Sequence, residues 1–328
     1  MKRTNKARLV GGLLLPLIVC SVSYGKTSSG QIGSLAISPD GKLIAVSYGN
    51  DKTSFIYVIL VDTGVARRLT DAKGGEESGP SFSVDGMRIA YTYWPSDHTR
   101  PRIVIVNVDG SDPHQWSAPE IDTASPVFSP DDKTIVYGRS GYFGSYSPIA
   151  QPHYHAWNFF ASDLDGKNER QLTDESFYSA SAPSISPDGK SMVLVTEGID
   201  TPQLIAVYSL DHVGKPTLSL RPHVPIEVDH KEPIFNCPNY LPDGSILFMA
   251  ADKHVSYDLY RLNPETGAIE KLTSKNGYAT ELKVSADGKT AVFLKWRKNW
   301  MLEVTAPEPY LLDLQSHKLT PLIVAGLN

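Results

Sequence analysis

The sequence predicts an all-β fold, a six-bladed β-propeller of four-stranded antiparallel blades, and three observations carry that expectation. One turn motif recurs six times along the 328 residues. Each copy is followed by short apolar runs of strand length, and no stretch sustains a helical period. The spacing of the copies is that of propeller blades.

The copies are Ser38-Pro39-Asp40-Gly41-Lys42, Ser83-Val84-Asp85-Gly86, Ser129-Pro130-Asp131-Asp132-Lys133, Ser186-Pro187-Asp188-Gly189-Lys190, Leu241-Pro242-Asp243-Gly244 and Ser285-Ala286-Asp287-Gly288-Lys289. Their aspartates lie 45, 46, 57, 55 and 44 residues apart. Turn chemistry accounts for the motif: Pro presets φ, Asp accepts hydrogen bonds from the turn's own amides, and Gly supplies a positive φ between two antiparallel strands. The six aspartates therefore read as structural. A calcium loop is the competing reading; it needs several carboxylates together, and only Asp131-Asp132 approaches that.

Second strands follow each turn: Leu43-Ile44-Ala45-Val46, Ile89-Ala90-Tyr91, Ile135-Val136-Tyr137, Met192-Val193-Leu194-Val195, Ile246-Leu247-Phe248 and Ala291-Val292-Phe293-Leu294. Third strands end at Asp62, Asp109, Asp165, Asp211, Asn263 and Gln315. Fourth strands close on Leu69-Thr70, Trp116-Ser117, Leu172-Thr173, Leu272-Thr273 and Leu319-Thr320, with a degenerate Leu218-Ser219-Leu220 in blade four. The expected blades span about 31–70, 79–117, 124–173, 181–220, 233–273 and 280–320.

Residues 1–25 stand outside this pattern. Lys2, Arg3, Lys6 and Arg8 precede the apolar run Leu9–Cys20, and Ser23 and Gly25 follow, so a secretory signal peptide cleaved near Gly25 is expected. The alternative is lipoprotein processing at Cys20, although Val19 sits where a small residue is normally required. The run is too short for a bilayer span, and no later segment is apolar enough to be one. A periplasmic or secreted location follows for residues 26–328, the expected propeller.

Charge narrows the partners. The chain carries 31 Lys+Arg against 36 Asp+Glu, and without residues 1–25 the basic count falls to 27. Nucleic acid is excluded as a ligand, since phosphate neutralisation needs a basic footprint. Cys237 is then the sole cysteine, so core burial and sheet hydrogen bonds must hold the fold.

Ser-Pro-Asp-Gly-Lys, then Ile-Ala-Val or Ile-Val-Tyr, then a strand ending in Asp-x-Gly, then Arg-x-Leu-Thr resembles the WD-like propeller repeat of the TolB family. Arg68-Leu69-Thr70 and Arg170-Gln171-Leu172-Thr173 match it best. The resemblance covers almost all of residues 26–328 and implies the fold; because the motif marks strands and turns, it says little about a site. TolB itself carries an α/β domain ahead of its propeller, so a TolB-like propeller alone is expected, and the family's contact with a peptidoglycan-associated lipoprotein does not carry over. The prolyl oligopeptidase type joins a similar propeller to a hydrolase domain, but no Gly-x-Ser-x-Gly elbow occurs in this sequence.

Strand order places the Asp-Gly turns on one face of the disc and the long links on the other. The insertion Ser140–Trp157 brings Tyr142, Phe143, Tyr146, His153, Tyr154, His155 and Trp157 to that second face; Trp94 and Arg100 join from blade two, His230 from the link after blade four, and Trp296 and Arg297 from blade six. Aromatic and Arg side chains on long loops anchor interfaces and stack on sugars or peptides. The sequence therefore points to a non-catalytic module that binds a protein or a cell-envelope glycan through this face, without a cofactor. The alternative is a Mn- or Zn-dependent polysaccharide lyase or hydrolase at the channel mouth, with His153, His155 and His230 as ligands. Oligogalacturonate lyases, which resemble the chain in architecture, hold such a metal through histidines. Cys237 and Glu281 share one position of the repeat, near the channel; a nucleophilic Cys237 based by His230 and a small apolar Cys237 are the two readings there.

Overall fold

The computed structural model describes residues 30–50, 52–71, 74–96, 100–118, 120–145, 152–177, 181, 183–196, 203–220, 222, 224, 234–251, 256–274, 277–296 and 306–327. They form six four-stranded antiparallel sheets, each a meander of four consecutive strands, with no helix among the described residues. The expected propeller is the observed one. The first strands of the blades are Gln31–Ile37, Gly75–Phe82, Thr123–Phe128, Ser184–Ile185, Ile234–Tyr240 and Ala279–Val284, and they lie beside one another from blade four through five, six, one and two to three.

The repeated residues owe their recurrence to hydrogen bonding. In the first turn Ser38 Oγ donates to Asp40 Oδ1 at 2.7 Å while accepting from Leu43 N at 2.9 Å, and Lys42 N donates to the same carboxylate. Ser83/Asp85, Ser129/Asp131, Ser186/Asp188 and Ser285/Asp287 repeat the bond at 2.5–2.7 Å. Where Leu241 replaces the serine, Ser245 supplies the hydroxyl to Asp243 at 2.6 Å. The serine bond holds the Asp40, Asp131 and Asp188 carboxyls below their ordinary range. The calcium alternative fails at Asp131-Asp132, because Asp131 serves its own turn and Asp132 spends both oxygens on the amides of Val84 and Asp85.

The blade-ending Leu-Thr pairs have a similar cause. Leu69, Trp116, Leu172 and Leu272 donate their amides to third-strand carbonyls at 2.8–2.9 Å. The hydroxyls of Thr70, Ser117, Thr173 and Thr273 accept the amide of the same third-strand residue at 2.9–3.0 Å, satisfying a donor that the short fourth strand leaves over. In blade six the register differs from the expectation. Tyr310 pairs with Pro321 as Tyr57 pairs with Arg68, so Leu322, and not Leu319, takes the place of Leu69 and donates to Pro309 O at 2.9 Å.

First strands carry bulges whose leading residues sit at positive φ: Gly79 (60°), Ser125 (57°), Cys237 (49°) and Glu281 (62°). For the three side-chain-bearing residues that conformation costs on the order of 1–2 kcal/mol each. The kink it buys re-aims the inner strand against the next blade. Gly79 N donates to Ser34 Oγ of blade one at 2.9 Å, and Ser125 N to Thr92 Oγ1 of blade two at 3.0 Å.

Apolar clusters fill the seams between consecutive blades. At the closing seam, Ile44 and Val46 of blade one pack with Val292 and Leu294 of blade six, so the ring closes by packing and not by exchange of strands within a blade. The segment after Pro321 adds a latch: Ala325 forms a parallel bridge with Val65 beside the outermost strand of blade one.

Candidate binding site

The Ser140–Trp157 insertion is a β-hairpin and not a loop. The second and third strands of blade three run on to Gly144 and from His153, pairing Ser140 with Trp157, Tyr142 with His155 and Gly144 with His153. A paired ladder satisfies the backbone and holds the side chains rigidly, which a loop would not.

The hairpin sorts its aromatics. Tyr142 and Phe143 are 45% and 47% exposed, whereas His155 is 2% and Trp157 4% exposed. Trp157 belongs to the core between blades three and four, where its backbone pairs with Phe177 and its indole N–H donates to Tyr154 O at 3.0 Å. Trp296 is likewise a core residue, 4% exposed and packed 5.8 Å from Tyr278. Neither indole presents a surface to a ligand. Tyr146, His230 and Arg297 lie outside the described residues.

Trp94, Arg100 and Tyr154 come together. Trp94, at the end of the second strand of blade two, meets Tyr154 of the hairpin with centroids 5.8 Å apart at 53°, and Phe143 meets Tyr154 at 4.6 Å. The Trp94 indole N–H donates to Ser78 Oγ at 2.9 Å, which fixes the ring. Arg100 Nη1 pairs with Asp122 Oδ2 at 3.3 Å. Burial pushes the Tyr154 phenol upward, with the Asp122 charge adding to the shift and Arg100 opposing it, so the phenol feels both members of the ion pair.

Asp122 is the residue that the sequence did not disclose. It lies in the link between blades two and three, in no motif, and two backbone bonds place it: Thr123 N to Pro101 O and Ser140 N to Asp122 O, both 3.0 Å. Its side chain is 14% exposed, and Oδ1 is buried with no hydrogen-bond partner. Burial raises its pKa and Arg100 opposes that rise.

A metal centre finds less support. The His153 and His155 rings lie 6.3 Å apart at 78°, and the His155 ring also packs 6.3 Å from Tyr142. Two imidazoles fall short of the three protein ligands that a catalytic zinc uses. Among the described residues no group of three or more His, Cys, Asp or Glu is placed to hold a metal ion. The described donor set does not fit the metal, and no chemistry is routed through one.

At the repeat position it shares with Cys237, Glu281 is 6% exposed and its carboxyl accepts the Leu35 amide of blade one. Burial pushes it up to about 8, opposed by Lys283, whose own ammonium burial pushes down. Cys237, at the same position of blade five, is half-buried against the seam between blades five and six.

The family model described as TolB beta propeller domain matches residues 25–222, more than half of the chain. The chain belongs to the TolB β-propeller family. An uncharacterized protein of Agrobacterium fabrum is 31% identical over 163 residues, covering 48% of this chain and 52% of that protein, so the chain spans about half the length of the curated relative it matches. Among solved structures, TolB from Acinetobacter baumannii superposes with a TM-score of 0.58 at 14% identity, covering 90% of this chain and 63% of the other. A putative TolB from Agrobacterium tumefaciens gives 0.62 at 16%, covering 83% and 89%. Oligogalacturonate lyase from Vibrio parahaemolyticus gives 0.55 at 15%, covering 92% and 80%. At these identities the TolB propeller fold is what is shared, and it is shared with a lyase as readily as with TolB; function has to be argued from the site.

Proposed function

We propose that this TolB-family propeller is an exported, non-catalytic binding module, taking a cell-envelope protein or glycan on the face that carries the blade-three hairpin. The observation that carries the reading is the continuous aromatic run Trp94–Tyr154–Phe143, flanked by exposed Tyr142 and by the Arg100–Asp122 pair. Rigid aromatic rings beside a guanidinium are the groups that dominate interface energies, and a paired hairpin holds them at low entropic cost. Export is supported by the basic and then apolar pattern of residues 2–20. No helix among the described residues is long and apolar enough to cross a membrane.

The test is affinity capture from cell-envelope extract with wild-type protein and a Tyr142→Ala/Phe143→Ala/Tyr154→Ala variant of unchanged thermal midpoint. A partner held by the wild type and released by the variant is expected; equal retention by both overturns the reading. Elemental analysis of protein purified without a histidine tag checks the lyase alternative. Stoichiometric Mn or Zn, lost on substitution of His153 and His155, would replace the binding-module reading with that one.

A further inference from the structure

One feature of the hairpin face specifies ligand chemistry: Asp122 keeps a buried carboxylate oxygen with no donor. Such an oxygen, left unpaired, has lost its water without a partner in exchange, and the penalty grows when it is charged. Its neighbour Oδ2 is occupied by Arg100, whose side chain is 55% exposed and whose guanidinium has further N–H groups to offer. An acceptor and a set of donors thus stand side by side. The two charges neutralise each other, so the pair offers no net charge to attract an ionic ligand.

The rings beside this pair are already fixed. Trp94 has spent its N–H on Ser78, and the backbone oxygen of Tyr154 is held by Trp157 Nε1, so Trp94 has only its ring surface left to offer, beside the half-buried ring of Tyr154. Four separate segments build the place: the end of the second strand of blade two, the approach to its third strand, the link before blade three, and the hairpin.

We propose that Trp94, Arg100, Asp122 and Tyr154 form a subsite for one residue of a neutral glycan, binding an unsubstituted vicinal diol. One hydroxyl donates to Asp122 Oδ1, a neighbouring hydroxyl accepts from Arg100, and the C–H face of the sugar packs on the aromatic pair. Each hydroxyl is both donor and acceptor, so a diol satisfies a carboxylate and a guanidinium together, whereas an anionic sugar would meet the carboxylate as a like charge. This subsite rests on the reading of the hairpin face as a binding face.

The test is isothermal titration of the purified full chain with cellohexaose, xylohexaose and mannohexaose, and with hexagalacturonate as the acidic control. Saturable binding of at least one neutral hexaose is expected, weakened tenfold or more, a loss of about 1.4 kcal/mol or more, in Asp122→Asn and in Tyr154→Ala. Ile323→Ala, exposed on the segment beside blade one and outside the binding face, leaves that affinity within about twofold. Asp122→Asn keeps the shape of the side chain, and its thermal midpoint verifies folding. Neutral-hexaose binding unchanged in Asp122→Asn overturns the subsite, as does tighter binding of hexagalacturonate. If no hexaose binds while the envelope capture above still depends on the hairpin, the glycan ligand fails and the binding face stands; if the capture fails as well, both fall.

Discussion

Asp132 of blade three accepts the backbone N–H of Val84 of blade two at 2.8 Å, and the two residues have changed together relative to the other turns of the ring. Where the preceding turn has Pro39, Pro130 or Pro242, the next blade offers Gly86, Gly189 or Gly288, and the contact is apolar; a side chain on Gly288 would meet the Pro242 ring at 2.6 Å. Val84 restores the N–H that proline lacks, and Asp132, at a φ of 55°, replaces glycine and supplies its acceptor. Ala286, the other non-proline, gives its N–H to Pro39 O at 3.2 Å.

Asp132→Gly is therefore expected to cost about 1–2 kcal/mol through loss of the carboxylate bonds to Val84 and Asp85, with relief of the left-handed backbone offsetting part of it. Val84→Pro destabilises the wild type, by removing one of those donors, but in the Asp132→Gly background it recreates the Pro39–Gly86 arrangement and recovers stability. Urea unfolding of the four proteins measures the coupling; additive effects would show the two sites to be independent.

Glu281 and Lys283 set a pH dependence at the seam between blades six and one. From the ordinary carboxylate range up to about 8, the folded protein keeps a proton on Glu281 that the unfolded chain has released, so stability falls as pH rises through that window. The depressed Lys283 has the opposite sign: below the ordinary lysine range the folded state gives up a proton that the unfolded chain keeps, so its own contribution rises with pH and opposes that of Glu281 wherever the two overlap. Denaturation midpoints measured from about pH 5 to about pH 8 should decline by at most about 1.4 kcal/mol per unit, and Glu281→Gln should flatten the decline. Parallel curves for the two proteins would remove Glu281 as the cause.

Burial separates the hairpin's aromatics by their effect on folding. Trp157→Ala is expected to cost about 3–5 kcal/mol, because the indole fills the seam between blades three and four. Tyr142→Ala and Phe143→Ala, at nearly half exposure, should stay within about 0.5 kcal/mol in thermal or urea unfolding. A large loss for the exposed pair would mean that those rings serve packing.

The blades were legible because a meander writes its turns locally: Ser38 and Asp40 bond within five residues of each other, so the motif itself reports the structure. The same locality explains what was missed. Asp122 acquires its environment from Pro101 and Ser140, and Glu77, 2% exposed and raised by burial, accepts Ile56 N from another blade at 3.0 Å. Contacts across a seam leave no period in the sequence. The hairpin was read as a loop because its polar and aromatic composition hid the pairing, and strand alternation alone did not show that Trp157 turns inward while Phe143 stays out.

The latch after Pro321 makes a last, separable prediction. Ala66 N donates to Ala325 O at 2.8 Å and Ala325 N to Gly64 O at 3.0 Å, while Leu322, 8% exposed, packs into the closing seam. Ile323, next in sequence, points outward at 81% exposure. Leu322→Ala is expected to cost about 2–3 kcal/mol and Ile323→Ala under about 0.5 kcal/mol. Removing residues 322–328 should also release the Ala66 amide to rapid hydrogen exchange while amides in blade three, far around the ring, keep more of their protection, since the lost bonds belong to blade one. Equal loss of protection in all blades would instead mean that the ring opens as one cooperative unit and that the tail's role is not local.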